Sequence, residues 1–63
     1  MELDDQVMVT CTDTDKTMEG TIVRIRGERV DVAVGELILN LRRTRPGIWL
    51  GIQAGMEFVV KDR

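Results

Sequence analysis

For most of its length the chain changes side-chain character at every second residue. It nowhere sustains the 3.6-residue period of an amphipathic helix. From Gln6 to Thr12, Val7, Val9 and Cys11 alternate with Met8, Thr10 and Thr12. A period of two belongs to a strand with one buried face, because successive side chains leave opposite sides of the pleat. Thr17 to Arg26 continues the pattern, with Thr21, Val23 and Ile25 on the predicted inner face and Ile22 and Arg24 opposite. Gly20, inside this strand, is where a bulge or a barrel corner is expected. Val30, Val32 and Val34 share one face of the next segment, and Leu37, Leu39 and Leu41 share one face of the segment after it, opposite Ile38 and Asn40. Ile48, Leu50 and Ile52 then alternate with Trp49 and Gly51, and Met56, Phe58 and Val60 with Glu57, Val59 and Lys61.

The links are short: Asp13 to Lys16, Gly27-Glu28, Gly35-Glu36 and Gln53 to Gly55. Arg42 to Gly47 reads as a loop with a turn, since Pro46 has no amide hydrogen and Gly47 permits positive φ. Links this short select antiparallel neighbours, because a parallel crossover needs a dozen or more residues. The prediction is an all-β chain, a small SH3-like barrel of five or six short antiparallel strands, in one domain over residues 1–63. Its expected inner set is Val7, Val9, Val23, Ile25, Val30, Val32, Val34, Leu37, Leu39, Leu41, Leu50, Phe58 and Val60. That set fills a small barrel and leaves no room for a ligand cavity.

Size sharpens the question of stability. A chain of 63 residues buries only about 60% of its unfolded surface, and such domains often depend on a disulfide, a metal or a partner. Cys11 is the only cysteine and there is no histidine. An internal disulfide is therefore excluded, and no zinc site is expected. No metal or cofactor is expected. A well-closed barrel or self-association remains. A lone cysteine fits a reducing compartment. Met1 is followed by Glu2, Asp4 and Asp5 rather than by a basic and then apolar stretch, and apolar runs are four residues or shorter. The expectation is a cytoplasmic domain with no signal peptide and no membrane span.

An enzyme is not expected either. The commonest general base, histidine, is missing. Cys11 lies mid-strand on the predicted inner face, with nothing to activate it. No glycine-rich phosphate loop precedes a helix. Asp13, Asp15 and Glu19 lack the placed glycine and closing glutamate of a calcium loop.

Charge is uneven along the chain. Residues 1–19 hold six acids and one base, and residues 20–63 hold five acids and eight bases. Arg42, Arg43 and Arg45 fall within four residues, close to Trp49. Their forked donors match phosphate or carboxylate oxygens. In the predicted register Trp49 points away from Ile48, Leu50 and Ile52, where it is free to stack on a base or an apolar partner. Arg24 and Arg26, with Arg29, join this field if the second hairpin folds beside the loop. The expected partner-binding surface is thus Arg42, Arg43, Arg45, Trp49, Arg24 and Arg26. Its expected partner is anionic: RNA, a nucleotide or an acidic protein segment. A competing reading has Trp49 closing one end of the barrel and the arginines pairing with Glu28, Asp31, Glu36 and Glu57. In a further alternative, Met8, Ile22, Ile38 and Val59 project outward and meet another protein or a second copy, giving a homo-oligomer.

Asp5 to Val9, followed by Gly20, Ile22, Val23 and Ile25, resembles the opening strands of SH3-like barrels of the KOW and Tudor type. The resemblance implies a binding module whose partners are nucleic acid, ribosomes or protein tails. A second similarity is to PilZ domains, which bind a cyclic dinucleotide through arginines ahead of a barrel. It rests on Arg42, Arg43 and Arg45 and on the closing strand pair from Gly51 to Val60, and it implies nucleotide binding there.

Overall fold

After Lys16 every turn is two residues long, and that brevity dictates how the strands can meet. The structure, a computed structural model, describes residues 1–62. Its strands are β1 (Gln6–Cys11), β2 (Lys16–Arg26), β3 (Arg29–Val34), β4 (Leu37–Arg45), β5 (Ile48–Gln53) and β6 (Met56–Lys61). Two-residue turns at Gly27-Glu28, Gly35-Glu36, Pro46-Gly47 and Ala54-Gly55 join β2 through β6. Consecutive strands pair antiparallel throughout. The meander closes where β1 meets β6, with Val9 opposite Val60, Thr10 opposite Val59 and Cys11 opposite Phe58. The fold is an all-β closed barrel of six antiparallel strands, compatible with an SH3-like barrel. No helix among the described residues is long and apolar enough to cross a membrane.

Antiparallel order gives the barrel two distinct ends. The β1–β2 loop and the turns at residues 35–36 and 54–55 share one end. The chain start and the turns at residues 27–28 and 46–47 share the other. Strand β4 crosses between two neighbours. Leu37 to Arg42 pair with β3, whereas Arg42 to Arg45 pair with β5. β4 therefore continues through Arg45 where the sequence suggested a loop from Arg42. A bulge between Arg43 and Arg45 absorbs the break in pattern, and only Pro46-Gly47 turns.

The interior holds Val9, Cys11, Ile22, Val30, Val32, Leu39, Leu41, Trp49, Phe58 and Val60, with no buried polar side chain among the described residues. Removing each larger aliphatic from water contributes about 1.5–3 kcal/mol. Val7 and Val34, half-buried, pack against this cluster, as do Met1, Met18 and Met56. Cys11 faces inward as its strand position predicts, at 3% exposure.

Two strands depart from the predicted facing. In β2, Ile22 is fully buried while Val23 is exposed, because the pairing slips between Ile22 and Arg24. The bulge inserts one residue, so a strict period of two no longer tracks the face. Ile25 regains the inner side opposite Val30, but at the barrel's end it stays partly open to water. In β5 the facing is inverted. Trp49 is buried opposite Val60, Ile52 is exposed, and Leu50 lies half-buried opposite Val59 on the outer face. One indole fills more of the interior than any of the aliphatics beside it. Leu37 was also expected inside. It starts β4 at the open mouth of the barrel and remains 55% exposed.

Candidate functional site

The turn at Gly27-Glu28 sets the register of the arginines. Gly27 takes a positive φ of 54° at the first central position, as a tight two-residue hairpin of the II′ kind requires. Arg26 and Arg29 are therefore direct partners across β2 and β3. Arg29 in turn lies opposite Arg42 across β3 and β4, and Arg42 lies opposite Leu50 across β4 and β5. One row thus runs Arg26, Arg29, Arg42, Leu50 across four strands. A second row runs Arg24, Asp31, Asn40. Both project from the outside of the barrel.

Between β4 and β5 this outer surface becomes concave. The two strands are paired only as far as Arg42 and Leu50. Gly51 lets β5 lie close on β4 just beyond, since a Cβ there would overlap the Asn40 carbonyl oxygen and lie 2.8 Å from Leu41 Cδ2. The resulting groove, of about 550 Å³, is lined by Arg24, Arg26, Arg29, Asp31, Asn40, Leu41, Arg42, Leu50, Gly51 and Ile52. Its volume falls in the range of pockets that hold small ligands or short segments, roughly 300–1,000 Å³.

The groove is electrostatically unbalanced. Like charges directly opposite each other in a sheet are destabilising, and here three guanidiniums stand in one row. Among the described residues, no carboxylate lies within ion-pair distance of Arg24, Arg26, Arg29 or Arg42. Asp31, half-buried, is the one acid in the groove.

Of the residues singled out in the sequence, Arg24, Arg26 and Arg42 come together here, with Arg29. The other three are elsewhere. Trp49 is 7% exposed and belongs to the core, so it offers no stacking face to a partner. Arg43, opposite Trp49, is tied to Glu28: its Nη2 donates to Glu28 Oε2 at 2.9 Å, and its backbone amide donates to the Glu28 carbonyl at 2.8 Å. Arg45 lies at the end of β4, opposite Ile48 and outside the groove. The competing reading was therefore correct for Trp49 and for the Arg43–Glu28 pair. Sequence reasoning passed over Asp31, Asn40, Leu50 and Ile52 as groove residues. The signal for the row was present, since a two-residue turn after Arg26 places Arg29 opposite it.

The far end of the barrel differs in kind. A smaller apolar mouth of about 180 Å³ opens there, lined by Cys11, Met18, Val34, Leu37, Leu39, Met56 and Phe58, with Thr14 and Lys16 at its edge. Asp13, Asp15 and Glu36 occupy the surrounding loop and turn, and Glu57 is the second residue of β6. Asp13 Oδ2 accepts from the Glu57 amide at 2.7 Å, and Thr12 Oγ1 donates to Glu57 Oε1 at 2.7 Å. All six described arginines lie in the opposite half of the barrel. No group of three or more Cys, Asp or Glu side chains among the described residues is arranged to hold a metal ion.

Comparisons of the chain with known protein families, with curated proteins and with solved structures find no match.

Proposed function

We propose that this domain is a non-enzymatic binding module that takes an anionic partner into the groove bounded by Arg24, Arg26, Arg29 and Arg42. One observation carries the reading. Arg26, Arg29 and Arg42 oppose one another in a single row, and no carboxylate among the described residues neutralises them. A row that costs folding energy and has no counter-charge among the described residues suits an external anion. Arginine forks accept carboxylate or phosphate in bidentate fashion.

The shape of the groove favours an acidic protein segment over single-stranded RNA. Stacking of bases on aromatic faces supplies much of single-strand affinity, and the chain's two aromatics, Trp49 and Phe58, are both buried. Leu50 and Ile52 instead provide an apolar wall beside the arginines. A segment mixing carboxylates with aliphatic side chains satisfies both. The SH3-like outline and the resemblance to KOW and Tudor barrels agree with a binding role of this type.

The test is calorimetric titration at low ionic strength with an acidic-aliphatic peptide and with single-stranded RNA. Binding of the peptide that is lost in Arg29→Glu with Arg42→Glu supports the reading. Binding of RNA alone would redirect it to nucleic acid, and silence from both ligands removes it. The alternative surface of outward apolar residues is weaker. Ile22 is fully buried, and Ile38 on β4 is two or more strands distant from Met8 on β1 in either direction round the barrel.

A further inference from the structure

The arginine groove on the outer wall of this barrel and the acidic mouth at its far end are complementary in charge and in apolar character. We infer that the occupant of the arginine groove is the acidic mouth of a second copy of this chain, in a head-to-tail contact. The inference rests on the groove reading above and names its partner.

Consider what each surface presents. The groove sets Arg26, Arg29 and Arg42 beside an apolar wall of Leu50 and Ile52. The far end sets Asp13, Asp15 and Glu36 around an apolar opening at which Leu37 is 55% exposed, with Lys16 the single base. Basic faces acidic, and apolar faces apolar. Docking them pairs the uncompensated guanidiniums with carboxylates and covers Leu37 and Ile52, two of the most exposed large apolar side chains. Of the acids in the arginine half, Asp31 lies in the groove itself opposite Arg24, but outside ion-pair distance of the described arginines. Glu28 is bonded to Arg43, and Asp62 lies 3.7 Å from the N-terminal ammonium. Asp4 and Asp5 bond to Ile22 through their backbones along the edge of β2 that faces β1, and the Asp5 carboxylate accepts from the Glu2 amide.

Two different patches meet in this contact, so it is heterologous. It does not close on itself as a two-fold dimer does, and it propagates into open chains. A contact of standard size takes about 800 Å² from each partner, nearly a fifth of the 4508 Å² that one barrel exposes. The association is salt-dependent, because the Debye length shrinks from about 30 Å at 0.01 M to about 3 Å at 1 M.

Sedimentation velocity of the full chain across a range of concentration tests this. At low ionic strength the apparent mass is expected to rise above the 7.1 kDa monomer with concentration, and to return to it at high salt. Two variants then isolate the ends. Arg29→Glu with Arg42→Glu destroys the groove and keeps the mouth. Asp15→Asn with Glu36→Gln neutralises the mouth and keeps the groove. Each is expected to be monomeric alone, with native circular dichroism. Mixed in equal amounts they form a one-to-one pair that cannot extend, because one intact groove meets one intact mouth. A wild-type chain that stays monomeric at millimolar concentration and low salt overturns the inference, as does a mixture that shows no pairing. If the wild type stays monomeric but still binds the acidic peptide, only the self-association falls. If it binds neither, the groove reading falls as well.

Discussion

Arg29 and Arg42 stand directly opposite each other across β3 and β4, on the outer face of the barrel, with Arg26 opposite Arg29 on the other side. A like-charge pair at this spacing works against the sheet, by an amount comparable to the roughly 0.2–1 kcal/mol that favourable cross-strand pairs contribute. Replacing Arg42 with Gln keeps a polar, uncharged N–H donor at the position and removes one charge. Arg42→Gln is therefore expected to raise stability by about 0.5 kcal/mol while weakening the acidic peptide. Urea denaturation and the peptide titration read the two effects on one variant. Stability and binding that fall together would place Arg42 in a structural role.

The Arg43–Glu28 pair is expected to behave differently. Its side chains are 44% and 68% exposed, and ion pairs open to water contribute about 0–1 kcal/mol. Arg43→Gln should change stability by less than about 1 kcal/mol and leave peptide affinity within twofold. A large loss of affinity in that variant would move the binding surface from the groove towards the β4 end.

The facing of β5 separates two substitutions sharply. Trp49→Ala removes a core indole and should cost about 3–5 kcal/mol, the range for deleting large aromatics from interiors. For so small a domain that approaches global unfolding. Ile52→Thr alters a side chain that is 72% exposed and should shift stability by no more than about 0.5 kcal/mol. Thermal melts of the two variants, with the blue-shifted emission of a buried indole in the parent, check the assignment. Equal costs would restore the register in which Leu50 and Ile52 face inward.

That register shows where sequence reading succeeds and where it stops. Strands β1, β3, β4 and β6 carry most of their apolar residues on one side, and Val9, Val30, Val32, Leu39, Leu41, Phe58 and Val60 are all buried as the alternation implies. In β5 the alternation is real, but three aliphatics lie on the outside. Trp49 must be inside, and Gly51 must face inward where β5 closes on β4. Counting apolar residues per face cannot weigh one large side chain against three smaller ones. In β2 the bulge at Val23 shifts the face midway, and a bulge without a marker glycine leaves no local trace in the pattern. The groove combines both effects. Its arginines were legible as a charge cluster. Their convergence depends on a turn register and a close approach of β5 to β4 that come from tertiary pairing.

Gly51 itself offers a test of the close approach between β4 and β5. A methyl group there would meet the Asn40 backbone carbonyl, which is fixed by the barrel and has no rotamer through which to move aside. Gly51→Ala should therefore destabilise by about 1–3 kcal/mol, as overpacked interiors do. In a domain of this length each kcal/mol lowers the melting temperature by about 4–8 °C. Residual folded protein should also bind the acidic peptide less well, since relief of the clash widens the gap between β4 and β5. A Gly51→Ala chain with unchanged melting would show that the two strands are not held in that approach.

Gly20 permits a stricter experiment, because its neighbours are side chains. A Cβ at Gly20 would lie 2.5 Å from Val32 Cγ1, 3.1 Å from Val34 Cγ2 and 3.2 Å from Val9 Cγ2. Gly20→Ala alone should cost about 1–3 kcal/mol by overpacking. Val32→Ala alone opens space in the interior and should cost about 1–3 kcal/mol, from lost transfer energy plus any cavity. Together the two changes exchange volume across one contact, so the double variant should be more stable than the sum of the single losses predicts. Contacting residues show coupling of about 0.5–3 kcal/mol in such cycles, and the sign expected here is favourable. Strict additivity in urea denaturation would mean that Gly20 and Val32 do not meet inside the barrel, and the pairing of β2 with β3 would have to be redrawn.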